Sequence, residues 1–209
     1  MRVLLALVFL AAWSISAAVP VAQWEFDLVL TRTPDAGNGA ELYGPCAACH
    51  GKNGEGVSDG TVPVLAGQSY TVIAKQLVDF RADRRVDPRM QHFSDRRHLA
   101  YSQSVADVAA YIAGLPKPMP KRSVPEKAII AGSMAYVRSC ERCHGAMAEG
   151  KEDTLAPRLA SQHYDYLLRQ LDDAAAGRRA TMAETHAPLL RVMSRTEIET
   201  VASYLATLR

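Results

Sequence analysis

Two short stretches of this chain bring together residues that can do chemistry as a group, Cys46-Ala47-Ala48-Cys49-His50 and Cys140-Glu141-Arg142-Cys143-His144. Each has two thiols three positions apart and an imidazole directly after the second. On a helical turn that spacing sets both sulfurs on one side, where they can form thioethers with the two vinyl groups of one porphyrin. The adjoining His50 or His144 then supplies an axial imidazole to the iron. All four cysteines fall inside the two motifs, so no thiol remains for a disulfide or a separate nucleophile. Two rival uses of such pairs exist. A shared zinc site wants its pairs closer than the 94 residues that separate these. A redox dithiol wants a βαβ context that the chain does not offer. Gly51 and Gly145 follow the histidines, as a tight turn beside a macrocycle requires. The residues point to two covalent haem c groups attached at Cys46, Cys49, Cys140 and Cys143.

The elements that must position these groups repeat along with them. Leu159-Ala160-Ser161-Gln162 answers Leu65-Ala66-Gly67-Gln68, and Tyr164 answers Tyr70, all at the same offset of 94 residues. Arg178-Arg179 answers Arg84-Arg85, and Val201-Ala202-Ser203-Tyr204 answers Val108-Ala109-Ala110-Tyr111 at an offset of 93. Self-similarity kept up from motif to last helix is tandem duplication. It divides the chain into two units, 35–115 and 126–209, joined by 116–125. Four prolines in those ten linker residues favour an extended, semi-rigid connection. In the first unit, residues 39–43 predict a short helix leading into the motif. Val72, Ile73, Leu77 and Phe80 predict an amphipathic helix over 69–80, an arginine-rich loop holds Met90, and Val105, Val108, Ala109 and Ile112 mark a last helix. Gly114 and Pro116 close that helix.

Each unit has only about 80 residues, near the lower limit for a self-sufficient core, and an apolar macrocycle would supply its centre. An aromatic content of 7% fits a core partly made of porphyrin. At the N-terminus, Arg2 precedes an apolar run over 3–12, and Ser16-Ala17-Ala18 offers the small residues of a cleavage site. This reads as a secretory signal, 1–18, removed after Ala18, with export to the periplasm. The rival is a retained membrane anchor, but Ser14, Ser16 and Pro20 interrupt the run before the ~20 apolar residues of a span. In the extension 19–34, Trp24, Phe26 and Leu28 alternate with Glu25 and Asp27, the period of a strand. Packing over the neighbouring unit is the preferred role for it, with docking of a partner as the alternative. The 24 basic and 22 acidic residues nearly balance and give no case for a nucleic-acid partner.

A six-coordinate iron needs a second axial donor. Met90 lies 40 residues beyond His50, and Met182 lies 38 beyond His144. They precede the matching Tyr111 and Tyr204 by 21 and 22 residues, so the repeat selects this pair. Met193 falls at the start of the last helix, a core position. His92 and His186 are the rival donors; bis-histidine ligation would lower the potential, because a thioether favours ferrous iron. His98 and His163 receive no ligand role.

On these residues the chain resembles the class I cytochromes c, and among them the exported two-domain dihaem proteins of the cytochrome c4 type. Both Cys-x-x-Cys-His-Gly motifs carry the resemblance, with the Pro-x-Leu-Ala-x-Gln-x-Tyr stretches from Pro63 and Pro157, the methionines and the C-terminal Ala-x-Tyr helix. It implies an all-α fold of two tandem domains, each a few helices wrapped around one haem c. It implies that the Pro63 and Pro157 carbonyls accept the ring N–H of His50 and His144, and that Gly39 packs on Tyr111 and Gly132 on Tyr204. It implies an electron carrier, not an enzyme. Its donor would be a periplasmic dehydrogenase or quinol-oxidising complex, its acceptor a terminal oxidase or reductase. Two alternatives stand beside this. A dihaem peroxidase-like enzyme would need an open distal site with acid–base residues such as His92 or His186, and by resemblance a longer chain. A dedicated subunit of a dehydrogenase complex is suggested by the N-terminal extension and by Arg81, Arg84, Arg85, Arg89, Arg96 and Arg97. Those arginines either steer an acidic partner or are used internally, on propionates or on Asp79, Asp83, Asp87 and Asp95.

Overall fold

The computed structural model describes residues 18–117, 124–182 and 186–209; the expected signal-peptide core and most of the linker lie outside them. Among the described residues the regular structure is helical, apart from one isolated bridge between Lys151 and Ala156. A leading helix α1 (Ala18–Leu30) precedes α2 (Ala36–Leu42), α3 (Gly44–His50), α4 (Tyr70–Arg81), α5 (Pro88–Ser94) and α6 (Ser102–Ala113) of the first unit. The second unit comprises α7 (Glu126–Ser139), α8 (Glu141–His144), α9 (Tyr164–Ala175), α10 (His186–Val192) and α11 (Arg195–Leu205).

Two expectations are corrected. The 19–34 extension is a helix, not a strand, because its buried set is Ala22, Phe26 and Val29, spaced by four and three, with Glu25 beside them. Trp24, one of the alternating residues, is 63% exposed. α1 packs against α4 and α6 as part of the first core, and Tyr70 Oη donates to Val29 O at 3.3 Å. The Met90 segment is also helical. Asp87 caps α5 by accepting from the Arg89 and Met90 N–H groups, and Pro88 takes the first turn, where a missing N–H costs nothing.

In both units the first and last helices cross at a glycine. A Cβ on Gly39 would lie 2.1 Å from Asp107 O and 2.9 Å from Tyr111 Cβ. On Gly132 it would lie 2.1 Å from Thr200 O and 2.7 Å from Tyr204 Cβ. The close crossing brings Tyr43 to Tyr111 (centroids 5.2 Å apart) and Tyr136 to Tyr204 (5.7 Å). In the first unit it is also tied by Asp107, 1% exposed, which accepts from Asp35 N–H at 2.8 Å, Asn38 Nδ2 at 2.7 Å and Gln103 Nε2 at 2.7 Å. Burial opposes its charge, but these hydrogen bonds outweigh it and hold its carboxyl below the usual range.

Gly39→Ala or Gly132→Ala must separate a helix pair against backbone, and chemical denaturation of the holoprotein should show a loss of about 1–3 kcal/mol. Asp107 contributes stability that is present above the ordinary aspartate pKa of about 4 and is lost as pH falls through its lower folded value. Melting curves from pH 7 to pH 3 should therefore be flatter for Asp107→Asn than for the unaltered protein.

Candidate haem sites

Each motif closes a short helix on its histidine. α3 starts with Pro45 in its first turn and ends at Gly51, whose φ of 80° only glycine adopts without strain; α8 ends at Gly145 with φ 85°. Tyr43 Oη donates to Gly51 O at 2.8 Å and Tyr136 Oη donates to Gly145 O, pinning both turns to the helix before them. Cys46 and Cys140 are half-buried, Cys49 and Cys143 are exposed, and none forms a disulfide. Burial pushes the Cys46 thiol up and the Cys140 thiol up to about 11. His50 and His144 are 5% and 6% exposed. Their Nδ1 atoms stand 3.1 Å from Pro63 O and 2.9 Å from Pro157 O, the contacts the resemblance implies. Burial holds both imidazoles below the usual pKa, the proline carbonyls partly offsetting it. A neutral ring with Nδ1–H on a carbonyl leaves the Nε2 lone pair for a metal.

A cavity of about 710 Å³ adjoins His50. Cys46, Cys49 and Met90 line it, with an apolar wall from Ile73, Leu77, Phe80, Phe93, Val108 and Ile112. Its far side belongs to the second unit, including Arg158, Tyr166 and Arg179. In the second unit Met182 is half-buried and donates its backbone N–H to Arg179 O at 3.1 Å. His186 brings its ring centroid to 6.0 Å from that of His144, nearly perpendicular. His92 instead faces Phe93 and His98.

The arginines are mostly used internally. Arg81 and Arg96 both pair with the buried Glu25 of α1, Arg84 with Asp79 at 3.7 Å, Arg89 with Asp87 at 3.0 Å and Arg97 with Asp95 at 3.0 Å. Glu25 as the partner of two of them does not show in the sequence, where residues 24–28 have the period of a strand. Asp83 accepts from Gln91, and no ion pair to an arginine is seen among the described residues. Arg85 crosses to the second unit, donating to Tyr166 Oη at 2.7 Å and Gln170 Oε1 at 3.0 Å. Its repeat counterpart Arg179 donates to Gln76 at 3.2 Å. Burial, then the neighbouring Arg85 cation, lowers Arg179 to about 10. Arg158 Nε and Nη2 and Arg179 Nε are buried without a hydrogen-bond partner. Unpartnered guanidinium nitrogens beside an apolar slot suit a flat apolar group that carries carboxylates, which is a haem with its propionates.

The comparisons agree. The cytochrome c family model matches residues 36–116 and again 129–209. The chain belongs to the cytochrome c family. It is of the dihaem cytochrome c4 type, with two covalently bound haem c groups in two tandem all-α domains. It is 37% identical over 159 residues to cytochrome c4 of Thiocapsa roseopersicina, spanning 70% of this chain and 77% of that one. It is 29% identical over 199 residues to the thiosulfate dehydrogenase electron acceptor of Stutzerimonas stutzeri, 86% of this chain and 90% of that one. The crystal structure of reduced cytochrome c4 from Pseudomonas stutzeri superposes with a TM-score of 0.75 at 25% identity, covering 85% of this chain and all of that one.

Removing a buried cation from beside a haem favours the ferric charge, so Arg179→Leu should lower at least one midpoint potential in a redox titration while both haems remain attached.

Proposed function

We propose that this cytochrome carries single electrons between redox proteins outside the bacterial cytoplasm, with 1–18 removed as a signal peptide and domains at 35–115 and 126–209 joined by 116–125. Each haem, when bound, supplies a one-electron ferrous/ferric couple. Cys46 and Cys49 would tether the first and Cys140 and Cys143 the second. His50 and His144 would be the proximal ligands, Met90 and Met182 the distal ones. The observation that supports this best is a buried imidazole in each domain, held by a proline carbonyl beside its cysteine pair. In the first domain a thioether, Met90, lines the same cavity. Such a site closes the coordination sphere with the chain's own donors and suits outer-sphere transfer rather than substrate binding.

Two specific observations favour second readings. The ring of His186 beside His144 favours bis-histidine ligation of the second iron. The likeness to a thiosulfate dehydrogenase electron acceptor favours a periplasmic dehydrogenase as donor, with this chain as its dedicated partner. On α1, Val21 and Trp24 are exposed apolar side chains on which such a partner could dock. A quinol-oxidising donor and a terminal oxidase or reductase acceptor fit the carrier reading equally.

Oxidised methionine-ligated haem has a weak long-wavelength sulfur-to-iron band. Met90→Ala and Met182→Ala should each remove one of two contributions to it, and His186→Ala should leave it intact. If Met182→Ala leaves the band unchanged and His186→Ala turns the second haem high-spin, the second iron is bis-histidine. Copurification separates the partner readings: a diffusing carrier elutes alone, whereas a subunit brings its dehydrogenase.

A further inference from the structure

The Pro-x-Leu-Ala-x-Gln stretch of each domain ends in a glutamine that serves the other domain. Gln162 Oε1 accepts from Val64 N–H at 2.9 Å, and its Nε2 donates to Val64 O at 2.9 Å. The repeat counterpart Gln68 does the same across the interface. Its Oε1 accepts from Arg158 N–H at 2.9 Å, and its Nε2 donates to Arg158 O at 3.0 Å. Each Oε1 also accepts a backbone N–H of its own domain, from Ser69 at 3.2 Å and from His163 at 3.0 Å, which sets the amide before it reaches across. Val64 and Arg158 are both buried, so these bonds form away from competing water.

The residue gripped is the one after the proline that orients the histidine. Val64 N–H and Pro63 C=O are two ends of a single peptide group, as are Arg158 N–H and Pro157 C=O. A relay therefore runs from His50 Nδ1 to Pro63 O at 3.1 Å, through that peptide, and from Val64 N–H to Gln162 Oε1. A second runs from His144 Nδ1 to Pro157 O at 2.9 Å and on to Gln68 Oε1. A hydrogen bond drawn from the N–H end of an amide polarises its carbonyl into a better acceptor.

We propose that Gln162 is a positioning residue for His50 and Gln68 a positioning residue for His144, so that each domain tunes the iron held by the other through one polarised peptide. The proposal rests on the reading of these histidines as axial ligands. A proximal imidazole whose N–H is drawn harder toward its acceptor is the stronger donor and favours ferric iron. Docking of the domains thus lowers both potentials.

The test is an NMR-monitored redox titration of the full-length holoprotein carrying Gln162→Leu or Gln68→Leu. Gln162→Leu should raise the potential of the first-domain haem, changing its oxidised-to-reduced ratio at fixed ambient potential by up to about twofold. In the reduced protein the hydrogen-bonded ring N–H resonance of His50 should move to higher field, with that of His144 unmoved. Gln68→Leu should give the mirror image. No shift, an equal shift of both haems, or a response in the mutated domain's own haem overturns the relay. Gln162→Glu guards against simple loosening of the interface. It keeps an acceptor for Val64 N–H and should hold the His50 resonance at or below its original field, whereas a shift matching the leucine variant overturns the proposal. If the unaltered protein shows no hydrogen-bonded histidine ring N–H, the axial-ligand reading fails and the relay with it. If those signals are present and the response is uncrossed, the relay alone fails.

Discussion

Everything in this molecule depends on keeping an imidazole buried, neutral and fixed in direction. A histidine left to itself in an apolar cavity loses its hydration and keeps free rotation about two bonds, so one ring nitrogen must be given a partner that settles tautomer and orientation together. The Pro63 and Pro157 carbonyls do this for His50 and His144. Proline suits the role because its fixed φ stiffens the loop that presents the carbonyl, and having no N–H it leaves no donor there to satisfy. The turns at Gly51 and Gly145 bring the chain back from motif to proline. The serine-capped α4 and its counterpart α9 start just after the glutamines.

The same constraint explains why the domains are docked rather than strung apart. A unit of about 80 residues has little apolar surface to bury, and a macrocycle takes the space where a larger protein would place side chains. The walls of the first cavity are completed from the second domain by Arg158, Tyr166 and Arg179. Arg169 Nη2 donates to Gly60 O at 2.7 Å, and His163 Nε2 lies 2.9 Å from Glu55 O, so the interface is built largely of polar groups reaching backbone. The duplication gives this contact an approximate two-fold character, with Arg85 and Arg179 and then Gln68 and Gln162 in matching places.

What was legible in the sequence was whatever the repeat wrote twice. Both motifs, the prolines, the glycine crossings and the last helices recur at an offset of 94 or 93 residues, and each copy vouches for the other. The strand pattern of Trp24, Phe26 and Leu28 had no second copy to correct it. A three-residue alternation fits a helix as well, once Ala22, Phe26 and Val29 are counted instead. The α5 helix was hidden because the arginines on either side of it look like loop composition, although Asp87-Pro88 is a helix-start signal. Gln68 and Gln162 were visible as repeated letters, but only the fold shows that each faces the opposite domain. Arg85 and Arg179 were likewise visible, but not that each reaches neutral groups of the opposite domain.

On the proposed ligation both irons are closed by the chain's own donors and would exchange electrons without binding a substrate. An optical redox titration of the purified holoprotein, followed by exposure of the reduced form to carbon monoxide, tests it most directly. Full ligation by methionine predicts two low-spin, one-electron haems, with the sulfur-to-iron band in the oxidised spectrum and no carbon monoxide adduct at neutral pH. A high-spin haem that binds carbon monoxide at once would contradict it and turn the second domain's His186 and its surroundings into the place to look for catalysis.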